Sequence, residues 1–148
     1  MSSTNTIKVA VIGASGYSGI ELLRILLRHP NVDLTAVTSR QNAGKSLTSV
    51  LPQFAGYPGG AKALEFSSPT TEDLIASGID VAFLALPHGV AAEYAVPLVK
   101  GGVRVIDLSA DFRLNSAETY KEFYDQAHPA PELLESAVDG LPEIHASE

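Results

Sequence analysis

Three glycines stand three residues apart in the stretch GASGYSG, at Gly13, Gly16 and Gly19, directly behind the apolar run IKVAVI. Glycines so spaced let a chain turn tightly and bring its backbone close to a ligand. They also aim free N–H groups, with the positive end of a helix dipole, at an anion. The pattern G-x-x-G-x-x-G is a variant of the dinucleotide fingerprint G-x-G-x-x-G, so the anion it suits is a pyrophosphate. A tight turn that holds nothing is the plain alternative, and the placement after a first buried strand favours the ligand. At the end of the next apolar run the chain reads TSR, with no Asp or Glu to accept from a ribose 2′-hydroxyl. Ser39 can donate to a phosphate and Arg40 can pair with one through its planar fork. That combination favours NADP over NAD, unless Arg40 is only a solvated surface charge.

Two later stretches offer further groups. LPHG (Leu86 to Gly89) puts His88 behind another apolar run, where it either flanks the cofactor's sugar or nicotinamide or simply sits in a loop. DLSADFRL (Asp107 to Leu114) gathers Ser109, Asp107, Asp111 and Arg113 at a strand end. Arg113 can recognise an anionic substrate there while Asp111 orients its neighbours; equally, the carboxylates can staple the loop through backbone N–H groups, with Arg113 paired to one of them. The histidines at 29, 88, 128 and 145 show no ligand spacing, so no metal is expected. NAGKS ends like a P-loop, but Ser39 stands where that motif needs its first glycine, and no buried strand leads directly into it. None of the five tyrosines has a lysine four residues on, which disfavours the proton-transfer pair of short-chain dehydrogenases.

These groups work only if strand ends bring them to one edge. Short β-branched runs alternate with helical patterns, the spacing of repeated β-α units. The expected architecture is α/β: a Rossmann-like, doubly wound, mostly parallel sheet with helices on both faces. Strands are predicted at Ile7 to Ile12, Val32 to Thr38, Ala63 to Phe66, Val81 to Leu86 and Val103 to Leu108. Helices are predicted from Ile20 to the stop at Pro30, through SPTTEDLIASG with Ser68 or Thr70 as cap and Gly78 as end, and through GVAAEYAVPLVKGG, kinked or shortened by Pro97. Further helices are expected at Ala117 to Tyr124 and at Pro131 to Ala137. The Gly- and Pro-rich segment Gln41 to Gly60 reads as a long surface excursion with at most a short helix at Lys45 to Val50.

Composition narrows the partners. A length of 148 residues suggests one domain, with residues 1–6 as a polar leader and 7–148 as the folded unit. A net charge of −7 with ten Lys plus Arg argues against a nucleic-acid partner, which needs a basic stripe. No apolar run approaches the roughly 18 residues that span a bilayer, and the leader MSSTNT lacks signal-peptide features, so no membrane is expected and the chain reads as cytoplasmic. There is no cysteine, hence neither disulfide framework nor thiol nucleophile within these residues.

GASGYSG, LPHG, DLSADFRL followed by FY, and GLPE (Gly140 to Glu143) occur in this order from about Lys8 to Glu143. In this the chain resembles the N-acetyl-gamma-glutamyl-phosphate reductases of arginine biosynthesis, relatives of aspartate-semialdehyde dehydrogenase. The resemblance implies an NADPH-dependent reduction of a small acyl phosphate to an aldehyde. A cysteine thiolate attacks, phosphate leaves, hydride reduces the thioester, and a histidine serves as acid and base. By motif, Ser15, Gly16, Tyr17, Ser18 and Gly19 would cradle the pyrophosphate with Gly13. Ser39 and Arg40 would meet the 2′-phosphate, Pro87 and His88 would lie beside the cofactor, and Arg113, with Ser109, would help hold substrate. The family's nucleophile follows GLPE, so catalytic cysteine, catalytic histidine and dimerisation domain are expected beyond Glu148, in a protein that is a homo-oligomer when whole. The chain alone is then expected to bind NADP(H) without turnover; a stand-alone dinucleotide-binding regulatory module is the alternative.

Overall fold

The computed structural model describes residues 6–58 and 60–145. Strands Ile7–Ile12 (β1), Val32–Thr38 (β2), Phe66–Ser67 (β3), Val81–Leu84 (β4) and Arg104–Asp107 (β5) form one sheet in the order β3-β2-β1-β4-β5. Every pairing is parallel, from Ile7↔Val32 to Ile12↔Thr38 on one side of β1 and from Val9↔Val81 to Ile12↔Leu84 on the other. A central parallel strand is covered on both faces, which is why β1 reads as a continuous apolar run rather than an alternating one. Val9 and Val11 point to one layer, Ala10 and Ile12 to the other, and all four are buried.

The first layer is helix α1 (Tyr17–Leu26) with α2 (Leu47–Val50), whose Leu23, Leu26, Leu47 and the nearby Phe54 pack on Val9, Val11 and Val37. The second is α3 (Thr71–Ala76) with α4 (Ala91–Lys100), whose Leu74, Ala91, Ala95 and Leu98 pack on Ala10, Ile12 and Leu84. The doubly wound expectation therefore holds, and the order of strands reverses between β1 and β4, the crevice where open α/β sheets receive ligands. Helices α5 (Ala117–Tyr124) and α6 (Pro142–His145) follow β5.

Several expected elements change under packing. Residues 41–58 are not a surface excursion: Leu47, Leu51 and Phe54 are buried and close the first layer. The strand expected at 63–66 is a 3-10 turn over Ala61–Ala63 followed by the two-residue β3, held by the ladder with Val37 and Thr38 on one side and by backbone bonds to Gly44 and Lys45 on the other. Pro97 does not shorten α4, which runs on to Lys100; Gly101 N–H bonds the Pro97 carbonyl, and burial of Ala95 and Leu98 offsets the one hydrogen bond the proline cannot make. The helix expected at 131–137 is a single 3-10 turn, Pro131–Leu133, and β4 and β5 are shorter than their apolar runs.

Candidate functional site

The three glycines divide the work at the end of β1. Gly13 has φ +84°, and a Cβ there would stand 2.3 Å from the Ala85 carbonyl oxygen at the end of β4. A Cβ on Gly19 would meet the Gly13 oxygen at 2.5 Å and the Ala14 Cα at 2.6 Å, so its absence lets α1 lie against the turn. Gly16 is different: a Cβ would find only the Gly13 oxygen, at an ordinary 3.5 Å. Packing therefore requires Gly13 and Gly19, whereas Gly16 leaves an open backbone. Gly16 is also the N-cap of α1, makes no side-chain cap bond, and is followed by no acid in the first turn. The first N–H groups of a helix have no intrahelical partners, so this end presents donors and a positive dipole to an incoming anion. Tyr17, 94% exposed, and Ser18 flank it on the surface.

β2 is tied to this turn. Gly13 N–H donates to Thr38 Oγ1 at 3.3 Å, Ala14 N–H to the Thr38 carbonyl at 2.9 Å, and Ser15 Oγ to Ser39 Oγ at 2.9 Å. Asn42 Nδ2 also donates to Ser39 Oγ, at 3.3 Å, so the buried Ser39 oxygen accepts twice and keeps its own proton to give. Arg40 is exposed and donates through Nη2 to Tyr94 Oη on α4 at 3.0 Å, a bond across the two halves of the sheet; Tyr94, foremost through that bond, raises its already high pKa further.

The ends of β4 and β5 are built otherwise. Asp111 is fully buried, accepting from Gly89 N–H at 2.7 Å and Ala92 N–H at 3.4 Å, and so closes the start of α4. Its Oδ1 also takes the Tyr120 hydroxyl at 3.3 Å. Burial, then the Asp111 charge, holds that phenol above its ordinary value, so Tyr120 stays a donor. His128 accepts Ala130 N–H on Nδ1 at 3.0 Å, which leaves Nε2–H to donate to the Asp111 carbonyl. Ser109 is buried with its hydroxyl engaged twice, donating to Asp107 Oδ2 at 2.7 Å and accepting Asp111 N–H at 3.1 Å. Of the two readings left open for DLSADFRL, the carboxylates follow the staple, but Arg113 pairs with neither. It is exposed and donates to the Leu108 carbonyl at 3.3 Å, beside a groove of about 390 Å³ shared with Asn115, Glu135 and Asp139. Pro87 and His88 are exposed in the loop after β4, with the His88 ring 5.6 Å from that of Tyr124 on α5.

The structure thus brings Gly13 to Gly19, Ser39 and Arg40 together around the end of β1, and fixes Pro87 and His88 across the crevice by way of Asp111. Asn42, Tyr94 and Tyr120 were not singled out from the sequence. Asn42 lies three residues from Ser39, a spacing that a turn makes adjacent, but nothing local marks Tyr94, which meets Arg40 only through the fold.

A protein family described as semialdehyde dehydrogenase, NAD binding domain, matches residues 8–148. An N-acetyl-gamma-glutamyl-phosphate reductase of Akkermansia muciniphila is 56% identical over 142 residues, covering 96% of this chain and 40% of that protein. A LysW-L-2-aminoadipate/LysW-L-glutamate phosphate reductase of Saccharolobus solfataricus is 47% identical over 142 residues, 96% of this chain and 39% of that protein. The chain spans about two fifths of the length of these curated relatives. Among solved structures, aspartate semialdehyde dehydrogenase with NADP from Candida albicans shares the fold, with TM-score 0.61 and 24% identity over 76% of this chain and 32% of that one. Among the described residues no helix is long and apolar enough to cross a membrane.

Proposed function

From the chain's membership of the semialdehyde dehydrogenase NAD-binding domain family, we propose that it is the NADP(H)-holding part of a reductase for N-acetylglutamyl phosphate. The observation that carries the cofactor reading is the donor set around the end of β1: the uncapped start of α1, the free proton of Ser39, and Arg40, which is held by Tyr94 and makes no ion pair among the described residues. The N–H groups of Ser15, Tyr17, Ser18 and Gly19 take the pyrophosphate, while the Gly16 N–H is held by the Gly13 carbonyl and its bare Cα allows close approach. Ser39 and Arg40 take the 2′-phosphate, Arg40 releasing Tyr94 to do so. Pro87 and His88, held through Gly89 and Asp111, border the nicotinamide end.

The bound cofactor supplies the hydride that converts an acyl phosphate carbon to an aldehyde. The phosphorylated acidic amino acids in the relatives' names support an acyl phosphate of this class as substrate, and the higher identity favours the N-acetylglutamyl form. With no cysteine in the sequence, the thiol comes from residues outside this chain, and the chain alone binds without turnover. Arg113, exposed and in no ion pair among the described residues, is available to a substrate anion.

Calorimetric titration with NADP⁺ and NAD⁺ tests the cofactor reading. NADP⁺ binds at least about tenfold more tightly, and Arg40→Ala erases most of that margin while leaving NAD⁺ unchanged. Equal affinities in the parent chain overturn it.

A further inference from the structure

NAGKS (Asn42 to Ser46), which fails as a P-loop, follows Ser39 and Arg40 after the single residue Gln41. Its backbone turns twice at three-residue intervals, Asn42 N–H bonding the Ser39 carbonyl at 3.3 Å and Lys45 N–H the Asn42 carbonyl at 3.0 Å. Positions 39, 42 and 45 therefore fall on one side, and their side chains join: Lys45 Nζ donates to Asn42 Oδ1 at 3.3 Å, and Asn42 Nδ2 to Ser39 Oγ at 3.3 Å. One carboxamide thus holds an ammonium at one end and the phosphate-facing hydroxyl at the other. The segment is pinned to the sheet, since Gly44 N–H bonds the Phe66 carbonyl at 2.8 Å and Phe66 N–H bonds the Lys45 carbonyl at 2.9 Å. Gly44, at φ +82°, supplies the left-handed backbone that reverses the chain there.

Charge agrees with geometry. Among the described residues neither Lys45 nor Arg40 makes an ion pair, the Glu93 carboxylate acting on Arg40 only from a longer distance. In a chain of net charge −7, an arginine next in sequence to Ser39 and a lysine joined to it through Asn42 gather positive charge at one place. We infer that Lys45 is a second cation of the 2′-phosphate site and that Asn42 is the positioning residue that ties it to Ser39. The inference rests on the NADP(H) reading above, and extends it from two residues to four. A lysine on a flexible stem complements the planar fork of Arg40: the guanidinium fixes orientation while the ammonium adds charge.

The test is titration of the chain and of Lys45→Met, Lys45→Arg, Asn42→Ala and Arg40→Ala with NADP⁺, NAD⁺ and 2′,5′-ADP, the last carrying the phosphate without nicotinamide. All four replacements alter exposed or partly buried groups, and NAD⁺ affinity reports whether the site still folds. Lys45→Met is expected to weaken NADP⁺ and 2′,5′-ADP about tenfold, to flatten their salt dependence and to leave NAD⁺ unchanged, with Lys45→Arg restoring most of the loss. Asn42→Ala is expected to give a smaller loss confined to the same two ligands. Parent-like NADP⁺ binding by Lys45→Met, with the margin lost in Arg40→Ala, overturns this inference and leaves the NADP(H) reading standing. An equal loss for NAD⁺ and NADP⁺ in Lys45→Met also overturns it, because the lysine then only supports the loop. No margin for NADP⁺ in the parent, or no binding of any of the three ligands, overturns both.

Discussion

Two helices, α1 and α4, begin at the carboxyl edge of the sheet on either side of the same crevice, and they begin in opposite ways. The start of α4 is closed from within by the Asp111 carboxylate, which takes Gly89 and Ala92 N–H. The start of α1 has no side-chain cap and no acid in its first turn. Other helices follow the closed pattern: Thr70 and Asp73 form a reciprocal capping box on α3, and Ser116 caps α5. Both edges of the crevice are therefore polar, but only one has donors to spare. A cluster of polar residues at a strand end becomes a binding site when its hydrogen bonds are left open, and a scaffold when they are engaged.

The contrast can be broken by distorting the open end. Gly13→Ala combines a left-handed φ with a 2.3 Å clash on backbone, and is expected to cost about 4 kcal/mol or more in urea unfolding. Uncapping the closed end comes next: Asp111→Ala strands two N–H groups and the Tyr120 hydroxyl, and should cost about 3 kcal/mol in the same assay. Gly16→Ala sharpens the comparison, since its Cβ meets no obstacle in the protein. Stability should move by about 0.5 kcal/mol or less while calorimetric dinucleotide affinity falls about tenfold.

The closed side should also carry a pH signature. Burial, more than the opposing bonds from Ser109, raises the Asp107 pKa above its ordinary 3.8. The folded state then keeps that proton more tightly than the unfolded chain, so this contribution to stability is greatest below 3.8 and declines as pH rises through the folded value. Urea unfolding across that window should show the decline, and Asp107→Asn should remove it. The smallest effect belongs to Arg113→Ala, which loses one exposed bond to Leu108: about 0.5 kcal/mol or less in stability, and no change in dinucleotide affinity.

The parts legible in the sequence were those whose cause is local. The β1 apolar run, the glycine turn, the Thr70 cap and the α5 boundaries are each set by neighbouring residues, and β1, β2 and α5 fall where the spacing predicts. What the sequence concealed depends on distant partners. Leu47, Leu51 and Phe54 sit among glycines and prolines that read as a loop, yet α1 and β2 leave a gap that they fill. DLSADFRL offered its staple and its site on equal terms, because only the fold shows that Asp111 meets a helix start 19 residues earlier. Arg40 was visible and Tyr94 was not, since 54 residues separate them.

The place of β1 in the sheet has a consequence in time. Its neighbour β2 is one crossover away, but β4, joined by the bond from Lys8 N–H to Asp80, lies 72 residues on. During synthesis at about 5–20 residues per second, β1 and its glycine turn wait several seconds as an unpaired edge before β4 emerges. Loop closure of that length places the β1–β4 ladder late in folding. The crevice between those strands is thus completed only as the sheet itself is, so a bound dinucleotide should slow unfolding while leaving the folding rate almost untouched.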